Sequence, residues 1–172
     1  MKILGIIRET DIFPGQPPTP EEQLGKLRQT VRIVLFDKYG KIAMGCYPPS
    51  PHNEMKGSHG LPGGGVEEGE SIIKALFRES SEETGCLVKN VRELGIIKEF
   101  GVGKKIKHNQ DTHCFMAEVD GEKGIPKFTE RETEDGLEIR WVTIEDALKF
   151  INDKNLCVEK IRELICLKEV EN

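Results

Sequence analysis

The sequence predicts an α+β or layered α/β/α domain. Three observations carry this expectation. Several short runs are rich in alternating and β-branched apolar residues, amphipathic helical patterns stand between and after them, and no repeat or low-complexity segment breaks the series.

Residues 2–8 (KILGIIR) read as a strand, and the Pro-rich connector DIFPGQPPTP that follows cannot continue regular structure. Residues 29–37 (QTVRIVLFD) alternate, and a turn at Tyr39 and Gly40 leads into KIAMGCY, so the pair reads as a hairpin. The segment PPSPHNEMKGSHG is a loop by composition. SIIKALFRESSEET is the clearest helix, with Ser71 as N-cap, an apolar stripe of Ile72, Ile73, Leu76 and Phe77, and Gly85 at the C-terminal cap. Strand-like runs follow at VRELGIIKEF, DTHCFMAEVD and LEIRWV, mostly antiparallel in expectation. A polar loop, GEKGIPKFTERETEDG, separates the last two. Thr143 with Asp146 opens a helix in TIEDALKFI, and Asn155 is placed to cap a terminal one.

With 172 residues the chain fits one domain, 1–172, with 1–28 as an N-terminal strand and Pro-rich arm and 155–172 as a C-terminal helix. The formal net charge of −5 argues against a surface for duplex nucleic acid, which would gather Lys and Arg. The five cysteines are odd in number and never spaced Cys-x-x-Cys, which points to buried free thiols rather than a disulfide framework or zinc site. His52, His59, His108 and His113 lack zinc spacing. No run approaches the ~18 apolar residues of a membrane span, and the N-terminus is too short in apolar length for a signal peptide. A cytoplasmic protein without a membrane partner is expected.

Glu79, Glu82 and Glu83 stand at i, i+3 and i+4, within an arc of about 100° on one helical face. Like charges so spaced repel by roughly 0.2–0.5 kcal/mol per pair on an exposed helix. A shared hard cation such as Mg²⁺ would make the convergence favourable; the alternative is a plain solvated acidic face. Upstream, Gly63, Gly64 and Gly65 allow close backbone approach to a phosphate or ion and lead towards the helix N-terminus, where the dipole favours anions. Arg78 adds a fixed cation that can grip a carboxylate in two bonds.

The stretch from Gly64 to Cys86, GGVEEGESIIKALFRESSEETGC, resembles the Nudix box. Gly64, Glu70, Arg78, Glu79, Glu82, Glu83 and Gly85 all fall in its register, a coincidence on the order of once in 10⁸ from ordinary residue usage. Ser80, at a position usually aliphatic, departs from the pattern, and the small Cys86 closes it; a looser core contact is expected there. Leu61-Pro62 and Trp141-Val142 extend the resemblance beyond the box. It implies a Nudix-type α/β/α sandwich with a mixed central sheet, MutT-like, that hydrolyses a nucleoside diphosphate linked to another moiety. Glu79, Glu82, Glu83 and the Gly63 carbonyl would bind Mg²⁺, with Mn²⁺ as a substitute. Gly63, Gly64 and Gly65 would cradle substrate, and Glu70 and Arg78 would brace the loop, while Gly85 ends the helix.

Family members differ in the group that accepts the proton from water. Among the acidic residues of FTERETEDGLE, Glu134 is the choice, with Glu130, Glu132 and Glu138 as alternatives. Absent subfamily signals leave a nucleoside triphosphate pyrophosphatase, of damaged nucleotides such as 8-oxo-dGTP, ahead of a nucleotide-sugar or ADP-ribose pyrophosphatase and of a non-catalytic nucleotide-binding module. Phe100, His113, Phe115 and Trp141 are candidates to stack on a base, although Phe115 and Trp141 also suit a core. Lys98, Lys104, Lys105 and Lys107 form a basic run suited to a solvated loop or to steering a polyphosphate. A homodimer through the N-terminal strand and arm is a further expectation.

Overall fold

The strand Arg28–Phe36 shows how the layers arise, because its side chains alternate between two hydrophobic cores. In the computed structural model, which describes residues 2–48, 58–101, 109–151 and 157–171, this strand is β2. Val31, Ile33 and Leu35 enter one core with Ala75, Leu76, Phe115 and Ala117. Val34 enters the other with Ile97, Cys114, Cys166 and Leu167. A strand buried on both faces belongs at the middle of a covered sheet.

Seven strands form that sheet: β1 (Ile3–Arg8), β2, β3 (Ile42–Cys46), β4 (His59–Gly60), β5 (Leu87–Phe100), β6 (Asn109–Asp120) and β7 (Glu138–Val142). The order is β1-β5-β6-β2-β3-β4, with β7 also paired to β3. Helix α2 (Ile72–Thr84) packs on one face; α4 (Ile144–Ile151) and α5 (Val158–Glu171) cover the other. The expected α/β/α layering and mixed sheet are therefore present. Two short helices, α1 (Glu9–Ile12) and α3 (Glu130–Glu134), and a 3₁₀ turn at Glu21–Gln23 complete the described elements.

The hairpin between β2 and β3 forms as read, closed by Phe36↔Ile42. Asp37 Oδ1 accepts from Tyr39 and Lys41 N–H at 2.9 Å each, and this side-chain mimicry of a turn fixes the bend. The long partner of β2, however, is β6, which runs parallel to it from Arg28 to Phe36; β1 and β5 are parallel as well. The remaining pairings, β2–β3, β3–β4, β3–β7 and β5–β6, are antiparallel, so the sheet is mostly antiparallel as expected, with two parallel pairings that make it mixed. Parallel neighbours distant in sequence leave no turn signature between them.

On α2, Ser71 caps the first turn by accepting from Lys74 N–H at 3.3 Å, and Gly85 closes the helix at φ 70°. The apolar stripe is only half right: Leu76 is buried, but Ile73 and Phe77 are 47% and 44% exposed. The helix instead buries Ala75, Leu76, Glu79, Ser80 and Thr84. Ser80, expected to loosen the packing, is fully buried and donates to the Cys86 carbonyl at 3.3 Å. Within the polar loop, α3 was not expected, yet Thr129 and Glu132 form a capping box around it. Asn155 lies outside the described residues. All five thiols are free, with Cys157 half-buried and the others buried. Among the described residues, no helix is long and apolar enough to cross a membrane.

Candidate active site

The glycine loop lies along β2 like a short antiparallel strand. Ile33 N–H donates to the Pro62 carbonyl and Val31 N–H to the Gly64 carbonyl, both at 2.9 Å, and Val66 N–H returns to Gln29 at 3.0 Å. Gly63 has φ 137°, and a Cβ there would collide with the Val31 carbonyl oxygen. A Cβ on Gly64 would strike the carboxylate of Glu79. Only glycine allows the loop and the acidic face of α2 to approach this closely.

Arg78 ties the two together. Its Nε and Nη2 hold Glu70 at 3.0 and 2.9 Å, and Nη2 also donates to the Gly65 carbonyl at 2.8 Å. Nη1 reaches Glu79 at 2.7 Å and Glu82 at 3.2 Å. These bonds depress the Glu70 carboxyl to about 2. Glu79 is 8% exposed, and burial pushes its carboxyl upward against the pull of Arg78. Glu83 accepts from Gly63 N–H at 2.8 Å. Its carboxyl is pushed up to about 7, chiefly by burial and then by the charges of Glu79 and Glu132, against the Gly63 N–H and Arg32.

Gly63, Gly64, Gly65, Glu70, Arg78, Glu79, Glu82 and Glu83 are thus brought together, and Gly85 ends their helix. Oxygen donors on one helical face are the kind of set a hard cation takes. As they stand, Arg78 and the Gly63 N–H each engage one oxygen of the carboxylates they meet, and among the described residues no group of three His, Cys, Asp or Glu is gathered as a metal cage.

Glu134 is exposed at the end of α3. Glu132 is the loop carboxylate whose charge bears on Glu83 and on Tyr47. Beside Glu83 and Gly63 opens a cavity of about 410 Å³, walled by Tyr47, Leu61 and Leu137 and by Arg32 and Glu163. Neither Arg32 nor Glu163 was singled out in the sequence. A charge at an even position of β2, among apolar neighbours, was the available signal for Arg32.

The aromatic and histidine candidates separate. Phe115 is core at 2% exposure, and Trp141 is partly buried with Lys123 Nζ 3.7 Å from its ring centroid. His113 bonds Gln29 at 2.7 Å, and Phe100 lines a different cavity beside Arg8 and Thr19. His59, in β4, stacks on Phe150 with centroids 4.9 Å apart. His52, His108, Lys104, Lys105 and Lys107 lie outside the described residues, while Lys98 pairs with Asp111 at 3.1 Å.

The sequence model of the NUDIX domain matches residues 26–160. This chain belongs to the NUDIX family. It is similar to an RNA pyrophosphohydrolase of Bartonella quintana (strain Toulouse), 37% identical over 75 residues, which covers 42% of this chain and 40% of that protein. A second relative, an ADP-ribose pyrophosphatase of Methanocaldococcus jannaschii, is 47% identical over 45 residues, covering 26% of this chain and 27% of the other. The NUDIX chain therefore matches well under half the length of these curated relatives. Among solved structures, a MutT NUDIX hydrolase from Burkholderia pseudomallei superposes with TM-score 0.61 at 19% identity, covering 85% of this chain and 99% of that one, a likeness of fold.

Proposed function

We propose that this NUDIX protein is a divalent-metal-dependent hydrolase of nucleoside diphosphate linkages, with nucleoside triphosphates as preferred substrates. The observation that carries the reading is the pair of desolvated carboxylates, Glu79 and Glu83, held against a glycine loop that no larger residue could form. Buried carboxylates pushed towards neutrality want a strong positive partner, and their all-oxygen donor set fits Mg²⁺ or Mn²⁺. Glu79, Glu82 and Glu83, with the Gly63 carbonyl, would hold the ion. When bound, it supplies the charge that offsets the negative charge gathering on the pyrophosphate bridge and makes neighbouring water more acidic.

The remaining work falls to the chain's own residues. Arg78 and Glu70 fix the orientation of the carboxylates and of the loop, a role that orients ligands rather than reacting. Gly63, Gly64 and Gly65 present backbone to the phosphates. A carboxylate must then accept a proton from the attacking water. Glu134 was the sequence choice; the coupling of Glu132 to Glu83 favours Glu132. Reaction in the cytoplasm, and a homodimer through the edge strand β1 with its exposed Ile3 and Ile6, complete the reading.

Product analysis in ¹⁸O-labelled water tests it, with a Mg²⁺-supplemented panel of nucleoside triphosphates including 8-oxo-dGTP, ADP-ribose, a nucleotide sugar and a 5′-triphosphorylated RNA. Release of pyrophosphate from triphosphates is expected, with kcat reduced at least about 10²-fold in Glu82→Gln and Glu83→Gln. Unchanged turnover in both variants contradicts the ligand assignment, and binding without turnover across the panel would leave a nucleotide-binding module. The similarity to an ADP-ribose pyrophosphatase favours ADP-ribose as the second reading. Its cleavage, with no pyrophosphate from any triphosphate, would select that alternative.

A further inference from the structure

The C-terminal helix reaches the glycine loop through a carboxyl group that the chemistry above does not use. Helix α5 is anchored first: Arg162 grips Glu99 of β5 at 2.7 and 2.9 Å, and Cys166 and Leu167 are fully buried. Beside that anchor on the helix, Glu163 is 2% exposed. Its Oε1 accepts from Arg32 Nε at 3.2 Å, and the carboxyl also accepts from the Leu61 N–H, where the loop begins. Burial pushes this carboxyl up, yet a carboxyl group accepts hydrogen bonds in either protonation state.

Arg32 carries the contact onward. Its Nη1 donates to the Val31 carbonyl at 2.9 Å. Gly63 rests on that same carbonyl, since a Cβ at position 63 would lie 2.2 Å from its oxygen. The loop is therefore held at two points, at Leu61 directly and at Gly63 through the peptide between Val31 and Arg32. Gly63 in turn gives its N–H to Glu83 at 2.8 Å, and its carbonyl is the backbone ligand of the reading above. Mg²⁺ demands near-ideal geometry from its oxygens, so a small displacement of residue 63 costs affinity for the ion.

We propose that Glu163 is a positioning residue for the divalent ion: through Leu61 and Arg32 it sets residues 61–63 against β2, and so fixes the Gly63 carbonyl and Glu83 as ligands. Glu163 acts through these neighbours and is not itself a ligand. The inference rests on the metal-dependent reading above, and its test separates the two.

Mn²⁺ is titrated into the full chain without substrate, and the free ion is counted by electron paramagnetic resonance, at a temperature where circular dichroism shows each variant folded. Glu163→Ala removes the acceptor for both donors and should weaken Mn²⁺ binding about 10–100-fold, the loss typical of groups that orient ligands. Glu163→Gln keeps a carbonyl oxygen for Arg32 and Leu61 and should stay within about 3-fold of the unaltered chain. Arg32→Lys keeps the charge but loses the fork that spans Glu163 and the Val31 carbonyl, and should weaken binding at least about 10-fold. That variant decides the matter if Glu163→Ala fails to fold. Unchanged affinity in Glu163→Ala or Arg32→Lys, or a loss in Glu163→Gln as large as in Glu163→Ala, overturns the proposal alone. If the unaltered chain binds no Mn²⁺, the metal-dependent reading fails and takes the proposal with it.

Discussion

Arg78 makes five hydrogen bonds, to Glu70, Glu79, Glu82 and the Gly65 carbonyl, and each uses a different part of its planar fork. A lysine ammonium is a point charge and cannot reproduce that set. Arg78→Lys should lower activity about 10–100-fold and weaken the response to Mg²⁺, as loss of a ligand-orienting partner does; a titration of rate against metal concentration checks both. Glu83 carries the opposite lesson, because its site is costly to maintain. Glu83→Gln keeps an oxygen for the Gly63 N–H and removes a desolvated charge. In metal-free buffer it should raise Tm by about 2–4 °C, equivalent to about 1 kcal/mol for a chain of this size, while activity falls. These residues were legible from spacing alone, since i, i+3 and i+4 fix a common face. Arg32 and Glu163 were not: they meet across 131 positions of sequence, and no local pattern announces such a contact.

Among the elements, α2 was found correctly but turned incorrectly. Apolar count favours Ile73 and Phe77 for the core, whereas the structure spends the buried face on Glu79, Ser80 and Thr84 so that the carboxylates meet the glycine loop. Function overrides the hydrophobic pattern there. The loop's demands are equally local. Gly63→Ala would place a methyl against the Val31 carbonyl at a backbone angle alanine rarely adopts. It should destabilise by more than about 1 kcal/mol and reduce activity, as measured by thermal unfolding and by turnover. On α3, Glu132→Gln should reduce kcat more than Glu134→Gln, because the charge of Glu132 bears on Glu83; equal effects would return the proton-accepting role to open competition. The short helix itself was readable, since Thr129 and Glu132 have capping-box spacing, but five residues are too few for a periodic signal.

Across the whole molecule, α5 is fastened to the sheet by a buried polar network. Glu99 of β5 accepts from Arg162, Gln110 and Thr112, and Thr112 meets Thr30 of β2 at 2.9 Å. Burial raises the Glu99 carboxyl, but Arg162 and the neighbouring donors hold it below its ordinary value; Lys123 and the turn N–H groups do the same for Asp37. A depressed folded value means stability that is full above the unfolded carboxylate range, about pH 4, and lost as pH falls through the lower folded values. In metal-free buffer Tm should therefore rise as pH falls from neutrality towards about pH 5, where the raised Glu83 carboxyl takes up its proton, and drop below about pH 4, where Glu99 and Asp37 lose their charge. Glu99→Gln should cost about 3–5 kcal/mol at neutral pH, by stranding Arg162, and flatten the acid limb. Local strands and the β2–β3 turn were legible in sequence, while the parallel pairing of β2 with β6 was not, because distant strands share no turn.

The alternation of β2 puts Arg32 on the α5 side, where a single guanidinium bonds one acid and its field reaches another. Any change at position 163 alters how much of that positive charge Glu83 experiences. The charge state of Glu83 is consequently geared to the seating of α5 through a shared counter-ion.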